Sequence, residues 1–394
     1  MNKTLYFTIY FQKYAIELMA GIYLHIPFCK QACNYCNFYF STSLHFKEAF
    51  VERILEEIPT RKNYLSNQTI ESIYFGGGTP SILEAHTIEE ILNVINKHYK
   101  LDSALEITLE ANPDDLSKVK LKDLRKSGIN RLSIGTQSFQ DRDLQFMRRA
   151  HNAQEALNSI QSAQDIGLDN ISIDLIYGTP TLSKQAWEDN LNTAADLQVQ
   201  HLSCYALTVE EGTALFHQIR KGQVAKVNDK LAAENFKMLR SWAKDLNWDH
   251  YEISNLCKNG KISKHNTSYW KGEWYLGLGP GAHSFNGKSR QWNKPNLKGY
   301  IDKKANQIEI EHLSLQDQYN EYIMTGLRTK WGISTEQIES AFPNFYPTFE
   351  SKLKDLDTEM FNQEESIITL SEEGLFYADG IAAHFFEINE ETKR

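Results

Sequence analysis

The chain carries near its start the stretch YLHIPFCKQACNYC, residues 23–36. Three cysteines end this stretch in the pattern C-x3-C-x2-C: Cys29, Cys33 and Cys36. The apolar run at 22–26 predicts a β-strand, so the cysteines fall in the loop that follows it. Three thiols within one short loop, in a chain with only five cysteines, are not typical of a secreted disulfide framework. They indicate a metal site or a catalytic site.

The short spacing favours an iron–sulfur cluster. One loop can place three thiolates around a cubane, because the reach of the backbone limits how far apart such ligands lie. Since no fourth cysteine is near, one iron keeps an open position that can bind the amino and carboxylate groups of S-adenosylmethionine (SAM). We therefore predict a [4Fe–4S] cluster on Cys29, Cys33 and Cys36. A zinc site, with His25 as a further ligand, and three buried thiols are the alternatives.

Outward from this loop, short β-rich runs alternate with amphipathic helical segments. The predicted strands lie at 22–26, 72–75, 106–109, 131–134, 171–176 and 201–207, and the predicted helices include 46–58, 88–98, 153–166 and 185–197. In the second of these helices, apolar residues recur at spacings of three and four: Ile88, Ile91, Leu92 and Ile95. Six βα units in a row predict parallel strands joined by right-handed crossovers.

Glycines and polar residues follow several of these strands, where α/β proteins build their sites. This pattern predicts an α/β fold, a partial (β/α)6 TIM-like barrel, with a smaller C-terminal α+β domain. We predict a core domain at 19–250, a glycine- and aromatic-rich connecting region at 251–312 and a C-terminal domain at 313–394, with β-like runs near 367–370 and 384–388. Residues 1–18 are predicted to be an extension, with translation starting at Met19.

Composition excludes some classes of protein. The net charge of −9 argues against a nucleic-acid-binding protein, because phosphate binding needs a basic surface. No apolar stretch reaches the roughly 18 residues of a membrane helix. We expect a cytoplasmic protein.

Three stretches together resemble one family: YLHIPFC at 23–29, YFGGGTP at 74–80 and DLIYGTP at 174–180. With the C-x3-C-x2-C pattern and an aromatic residue before the third cysteine, they are similar to the radical SAM superfamily. The branch is the one that contains oxygen-independent coproporphyrinogen III dehydrogenases and haem chaperones. The resemblance covers the chain from Tyr23 through the C-terminal domain.

The resemblance implies a set of SAM contacts at the strand ends. The backbone at Gly77, Gly78 and Thr79 would receive the amino group of SAM. The glycine run lacks the Gly-Lys-Ser/Thr of a phosphate-binding loop, and a plain tight turn is its alternative reading. The other residues so implied are Tyr23, Tyr35, Glu110, Gln137, Arg149 and Asp174. For the nearby Asn112 and Asp114, capping of a helix N-terminus is the competing role.

The stretch HNTSYW at 265–270 resembles the HNxxYW motif of the haem chaperones. The resemblance implies haem binding by His265, Tyr269 and Trp270, with the imidazole on the iron and the rings against the porphyrin. A histidine that caps or bonds within a loop is the alternative. His283, in the glycine-rich stretch GLGPGAHS at 277–284, and Cys257 are further candidates.

Two functions follow from the two members of the branch. Dehydrogenases have a cysteine two residues after the third ligand, where this chain has Phe38, so the resemblance favours a haem chaperone. Such a protein would bind haem as cargo beside the cluster and SAM and deliver it to recipient haemoproteins, among them membrane respiratory enzymes. Dimerisation and a peripheral position at the inner membrane would go with this role. Oxidative decarboxylation of coproporphyrinogen III, or radical SAM chemistry on another substrate, is the alternative.

Overall fold

Six parallel strands alternate with helices in the first half of the chain, as the sequence pattern predicts. The structure is a computed structural model that describes residues 19–305 and 307–388, so the predicted extension at 1–18 lies outside the described residues. The strands pair in chain order, with Tyr23 of the first beside Tyr74 of the second. They are β1 Met19–Ile26, β2 Thr69–Gly77, β3 Leu101–Ala111, β4 Arg131–Gln137, β5 Ile171–Tyr177 and β6 His201–Ala206.

Amphipathic helices connect these strands and cover the sheet. The second helix buries Ile88, Ile91 and Ile95 on one face, as their spacing predicts. The helices of this part are α1 Lys47–Thr60, α2 Ala85–His98, α3 Lys118–Lys126, α4 Asp141–Phe146, α5 Ala153–Asp165 and α6 Lys184–Asp196, with 3-10 turns at Leu44–Phe46, Pro80–Ile82 and Pro113–Asp115. Within the two described ranges, no helix combines the length and the apolar character that crossing a lipid bilayer requires.

Further strands extend the sheet at both edges. At the β6 edge lie β8 Asn255–Cys257 and β7 Asp249–His250; at the β1 edge lie β9 Trp274–Leu278, β10 His283–Phe285, β11 Ser289–Asn293 and β12 Ile308–His312. Strand β9 runs parallel to β1, and β10 to β12 are antiparallel. The helices between these strands are α7 Ala214–Arg220, α8 Asp229–Asp245, α9 Lys264–Trp270 and α10 Leu297–Ile301. The predicted α/β fold with a partial barrel is confirmed.

The C-terminal section has a hydrophobic core of its own, which contains Tyr319, Phe349 and Phe385. Its elements are α11 Leu315–Leu327, β13 Ile333–Ser334, α12 Thr335–Ala341, α13 Tyr346–Asp355, β14 Phe361–Glu364, β15 Ile367–Leu370 and α14 Ala378–Phe385, with 3-10 turns at Thr358–Met360 and Gly374–Tyr377. The predicted strand near 367–370 is confirmed. The one near 384–388 is wrong, because Ile381 and Phe385 lie one helical turn apart and are buried on the same face of α14. The boundaries between the three predicted regions stay a prediction.

Candidate functional site

The three cysteines lie in the loop after β1, and all three are partly exposed. The loop is closed at its base, where the Cys29 amide donates to the Ser41 carbonyl oxygen at 3.0 Å. Side chains of the loop fasten it to the α4 region: Asn34 Nδ2 donates to the Phe146 carbonyl oxygen at 2.8 Å, and Gln31 Nε2 to that of Arg148 at 2.8 Å. The loop therefore has a defined position over the carboxyl ends of the strands.

Burial raises the pKa of two of these thiols. It raises the pKa of Cys29 to about 11, against a hydrogen bond with the Thr79 side chain that lowers it, and the Cys33 and Cys36 thiols raise it further. Burial likewise raises the pKa of Cys36. Thiolate ligation to a metal would therefore be accompanied by loss of protons. Within the described residues, no group of three or more His, Cys, Asp or Glu converges on a point that could hold one metal ion.

Arg149 connects the cysteine loop to the strand ends. Its Nη1 donates to Cys33 Sγ at 3.2 Å, and its Nη2 donates to Asn112 Oδ1 at 2.5 Å and to the Gly135 carbonyl oxygen at 2.8 Å. Its Nε is buried without a hydrogen-bond partner in the described part of the chain. The competing cap role of Asn112 is not seen, because its side chain makes no cap hydrogen bond at the Pro113–Asp115 turn.

The glycine run at the end of β2 packs tightly against the end of β1. Gly77 has a φ of +107°, which favours glycine, and a Cβ on Gly78 would lie 2.6 Å from the Phe28 carbonyl oxygen. The Gly78 amide donates to the Ile26 carbonyl oxygen at 2.9 Å, and the Thr79 amide to that of Phe28 at 2.6 Å. The N–H bonds of a ligand amino group donate, so such a group would bind backbone carbonyl oxygens here, and the Gly78 and Thr79 amides keep their internal partners.

Two carboxyl groups lie on β3 and β5, the strands on either side of β4. Glu110 Oε1 accepts from the Tyr74 hydroxyl at 2.8 Å, and its Oε2 accepts from the Gly77 amide at 3.1 Å. Burial raises the pKa of Glu110 to about 7, and the charge of Asp174 adds to the effect. Burial also raises the pKa of Asp174 to about 6, although Ser203 and Ser133 donate hydrogen bonds to it. A bound cation would favour the ionised form of both groups.

We expect Glu110→Gln to change how stability depends on pH. A raised acid pKa stabilises the folded chain below the pKa of the unfolded state, about 4.5, and this stabilisation is lost as the pH rises through about 7. The free energy of unfolding of the metal-free wild type should therefore fall, relative to the variant, by up to about 1.4 kcal/mol per pH unit between these limits. Urea unfolding at several pH values measures this difference. Free energies of unfolding that change with pH in parallel in the two proteins would contradict the prediction.

The remaining predicted SAM contacts surround the same region. Gln137 ends β4 with a φ of +64°, a strained value for a residue with a side chain, and such strain is concentrated at functional sites. Tyr35 packs beside the small cluster of Met147 and Ile176, and its pKa is raised by burial. The Tyr23 hydroxyl bonds to His25 Nδ1 at 3.1 Å. The structure brings these residues to one end of the sheet, and their role in binding stays a prediction.

His265 lies on helix α9 and is 1% exposed. Its Nδ1 bonds to the Ser72 hydroxyl at 2.9 Å and its Nε2 to the Tyr269 hydroxyl at 2.9 Å. Its ring stacks on Tyr74 with centroids 5.0 Å apart. Burial lowers the pKa of His265 to about 3, so the ring is neutral. Iron ligation by this residue would require one of the two hydrogen bonds to break.

Sequence reasoning assigned no role to Tyr74, which bonds to Glu110 and stacks on His265. Pairing of the two predicted strands could have revealed Tyr74, because it lies beside Tyr23 on the next strand.

Tyr269 and Trp270 also line a cavity of about 1050 Å³, whereas His265 does not. Cys257, a further candidate, is fully buried in β8.

The cavity lies between the β1 edge of the sheet and the C-terminal section. Asn37, Phe38 and Tyr39, which directly follow the third cysteine, line it, and its volume is at the upper end of the roughly 300–1,000 Å³ usual for small-molecule sites. Aromatic and histidine side chains dominate its walls, including Tyr23, His25, Tyr39, Tyr269, Trp270, Tyr275, His283, Phe285, Trp292, Tyr322 and Trp331. A flat aromatic ligand fits such walls.

Comparison with known protein sequences gives three results. Residues 23–194 match the Radical SAM superfamily. The chain is 34% identical over 376 residues to "Heme chaperone HemW" of Bacillus subtilis, which covers 93% of this chain and 99% of that protein. It is 33% identical over 378 residues to "Radical S-adenosyl methionine domain-containing protein 1, mitochondrial" of Bos taurus, which covers 91% and 82%.

Among solved structures, the fold is similar to that of coproporphyrinogen III oxidase (HemN) from Escherichia coli, described as a radical SAM enzyme. The TM-score is 0.79 at 21% sequence identity, with 94% of this chain and 90% of that chain covered. At this identity the likeness concerns the fold.

Proposed function

The chain belongs to the HemW family of radical SAM proteins, whose function is related to haem, and on this premise we propose that it is a haem chaperone. It would hold a [4Fe–4S] cluster on Cys29, Cys33 and Cys36, bind SAM beside it, and carry haem in the aromatic cavity for delivery to other proteins. The observation that carries this proposal is the cavity of about 1050 Å³ that is lined by the residues directly after the third cysteine.

The cysteine loop fits a cluster of this kind. A cubane binds each thiolate to a different iron, so its ligands surround a volume instead of converging on one point. The three partly exposed thiols and the Arg149 guanidinium on Cys33 provide such a donor set with a positive charge beside it. When bound, the cluster would supply one electron and an open iron position to SAM. The chain's own residues hold the loop, orient the ligand and limit access of water.

The strand ends fit a ligand that carries both a positive and a negative charge. We propose that Arg149 binds the carboxylate of SAM, because its buried Nε has no partner in the described part of the chain. Glu110 and Asp174 would receive the cationic part and the ribose hydroxyls, because they are buried acceptors close enough for the charge of Asp174 to raise the pKa of Glu110. Carbonyl oxygens near Gly77 and Gly78 would accept from the amino group, and Gln137, Tyr23 and Tyr35 would complete the walls.

The cavity fits haem as a flat, largely apolar ligand. Tyr269 and Trp270 line it, in agreement with their predicted role at the porphyrin. In the present arrangement His265 would act on haem through its hydrogen bond with Tyr269. Phe38 lines the cavity and is 67% exposed, and an aromatic ring left in water beside a cavity favours a partner ring.

We expect the wild-type protein, reconstituted without oxygen, to bind haem and to leave coproporphyrinogen III unchanged in the presence of SAM and a reductant. Phe38→Ala should weaken haem binding about 2- to 10-fold, the range typical of one aromatic contact. Tyr377→Ala is the matched control, because Tyr377 is 56% exposed and does not line the cavity. A haem titration followed at the Soret band and a porphyrin assay by chromatography measure these results.

Formation of protoporphyrinogen would overturn the chaperone proposal in favour of the dehydrogenase.

Delivery is tested by haem transfer from the loaded protein to an apo-cytochrome. We propose respiratory haemoproteins at the inner membrane as recipients, a cytoplasmic location for this chain and a homodimeric state. Transfer that is equally fast from free haem would contradict delivery.

A further inference from the structure

The histidines around the cavity differ in whether their ring nitrogens are engaged. His25 is 5% exposed, and its Nδ1 and Nε2 bond to the Tyr23 hydroxyl at 3.1 Å and the Tyr39 carbonyl oxygen at 2.9 Å. His265 is engaged at both nitrogens and does not line the cavity. His283 lines the cavity with an exposed ring that makes no hydrogen bond within the described residues. Its imidazole is the one that stays open to a ligand.

Strand pairing directs His283 into the cavity. His283 pairs with Trp292, and Phe285 pairs with Arg290 across the antiparallel strands β10 and β11. Directly paired residues lie on the same face of a sheet, and so do residues two apart on one strand. All four side chains therefore share one face, and all four line the cavity.

The orientation of the His283 ring is held by the aromatic ring that stacks on it. The ring stacks on Trp292 with centroids 5.7 Å apart and planes 21° apart. The indole is itself held, because its Nε1 donates to Glu309 Oε2 at 2.8 Å. A stacked imidazole presents its edge, which carries the nitrogen lone pair, away from the partner ring.

Resting on the proposed haem binding, we infer that His283 is the residue that ligates the haem iron, from the sheet side of the cavity. Histidine is a common axial ligand of haem iron. Partial burial and the Arg290 guanidinium lower the pKa of His283, so the imidazole has a free lone pair at neutral pH. His25 of β1, the strand that leads into the cysteine loop, lines the same cavity.

Two cations that line the cavity suit an iron porphyrin with two carboxylates. Arg290 Nη2 pairs with Glu321 Oε1 at 2.9 Å across the cavity. Lys271 lines the cavity with its Nζ 5.2 Å from the centre of the Trp331 ring. Either cation can bind a propionate group while the iron is held by His283.

The test is a ferric haem titration of the full-length, cluster-loaded protein, with absorption and electron paramagnetic resonance spectra. His283→Gly should change the Soret band and weaken binding by at least the roughly 10- to 100-fold that loss of an outer-shell partner causes at metal sites. Added imidazole should restore the wild-type spectrum. His312→Gly is the matched control, because His312 is exposed on the same sheet but its pairing with Ser289 puts it on the opposite face.

The outcomes separate the two proposals. Wild type that binds haem, with an unchanged spectrum and affinity in His283→Gly, would overturn the ligand assignment while the chaperone proposal stands. Wild type that binds no haem would overturn the chaperone proposal, and the assignment with it. A His265→Gln variant that loses the iron–imidazole signal while His283→Gly keeps it would assign the ligand to His265 instead. Equal iron and sulfide content in all variants shows that the loop has folded.

Discussion

Replacement of Cys33 by alanine should remove nearly all iron and sulfide from the anaerobically purified protein, from about four of each per chain. The reason is that the loop offers three thiols in the described structure, and a cubane left with two loses both a ligand and the charge that neutralises its irons. Alanine at Cys29 or Cys36 should do the same. Iron and sulfide analysis, with the absorption of the cluster near the blue end of the visible spectrum, measures this loss.

Cys257→Ala is the control for this experiment. Cys257 is a free thiol that is fully buried in β8, so its loss should leave the iron and sulfide content at the wild-type level. Stoichiometric zinc in wild-type protein purified without oxygen, in place of iron, would contradict the cluster and support the zinc alternative.

Replacement of Arg149 by methionine should weaken SAM binding about 10- to 100-fold, the loss expected for one charge-assisted hydrogen bond of about 1.5–3 kcal/mol. Methionine keeps much of the side-chain volume but leaves Asn112 Oδ1 and the Gly135 carbonyl oxygen without their donor. Arg149→Lys, which keeps the charge without the planar fork, should lose less. Calorimetry of SAM binding to the cluster-loaded proteins measures the affinities.

Arg148→Met is the matched control for the charge. Arg148 is exposed, and its contact with the cysteine loop is made by its backbone carbonyl oxygen, which the substitution keeps. Its SAM affinity should equal that of the wild type. Equal affinity of the Arg149→Met protein, at equal cluster content, would show that Arg149 has a structural role only.

The barrel could be predicted from the sequence because each strand and helix has its own local periodicity. The edge strands were harder, since β10 has three residues and is defined by its pairing with β11 instead of by its pattern. The prediction of a strand near 384–388 was wrong for a related reason. Their apolar run suits a strand and a short helix alike, and burial of Phe385 in the C-terminal core decides for the helix.

The candidate site was partly predictable. Polar residues at the ends of parallel strands meet at one end of a sheet, so the sequence could place Glu110 and Asp174 at the same end, and the charge of Asp174 raises the pKa of Glu110. The contact of Arg149 with Cys33 spans 116 residues, and that of His265 with Ser72 spans 193. Contacts of this kind depend on tertiary packing, which is why the sequence left His265 open between a haem ligand and a histidine bonded within a loop, whereas it lies buried on a helix.

The two hydrophobic cores on either side of the cavity have a consequence for how cargo would leave. One wall belongs to the sheet, where β1 is paired on both sides and holds the cysteine loop in place. The other wall includes Tyr322 and Phe342 of the separate C-terminal core. Release of cargo on that side would have to break the Arg290–Glu321 and Lys330–Asp249 ion pairs, whereas the cysteine loop lies on the opposite wall and would keep its own hydrogen bonds.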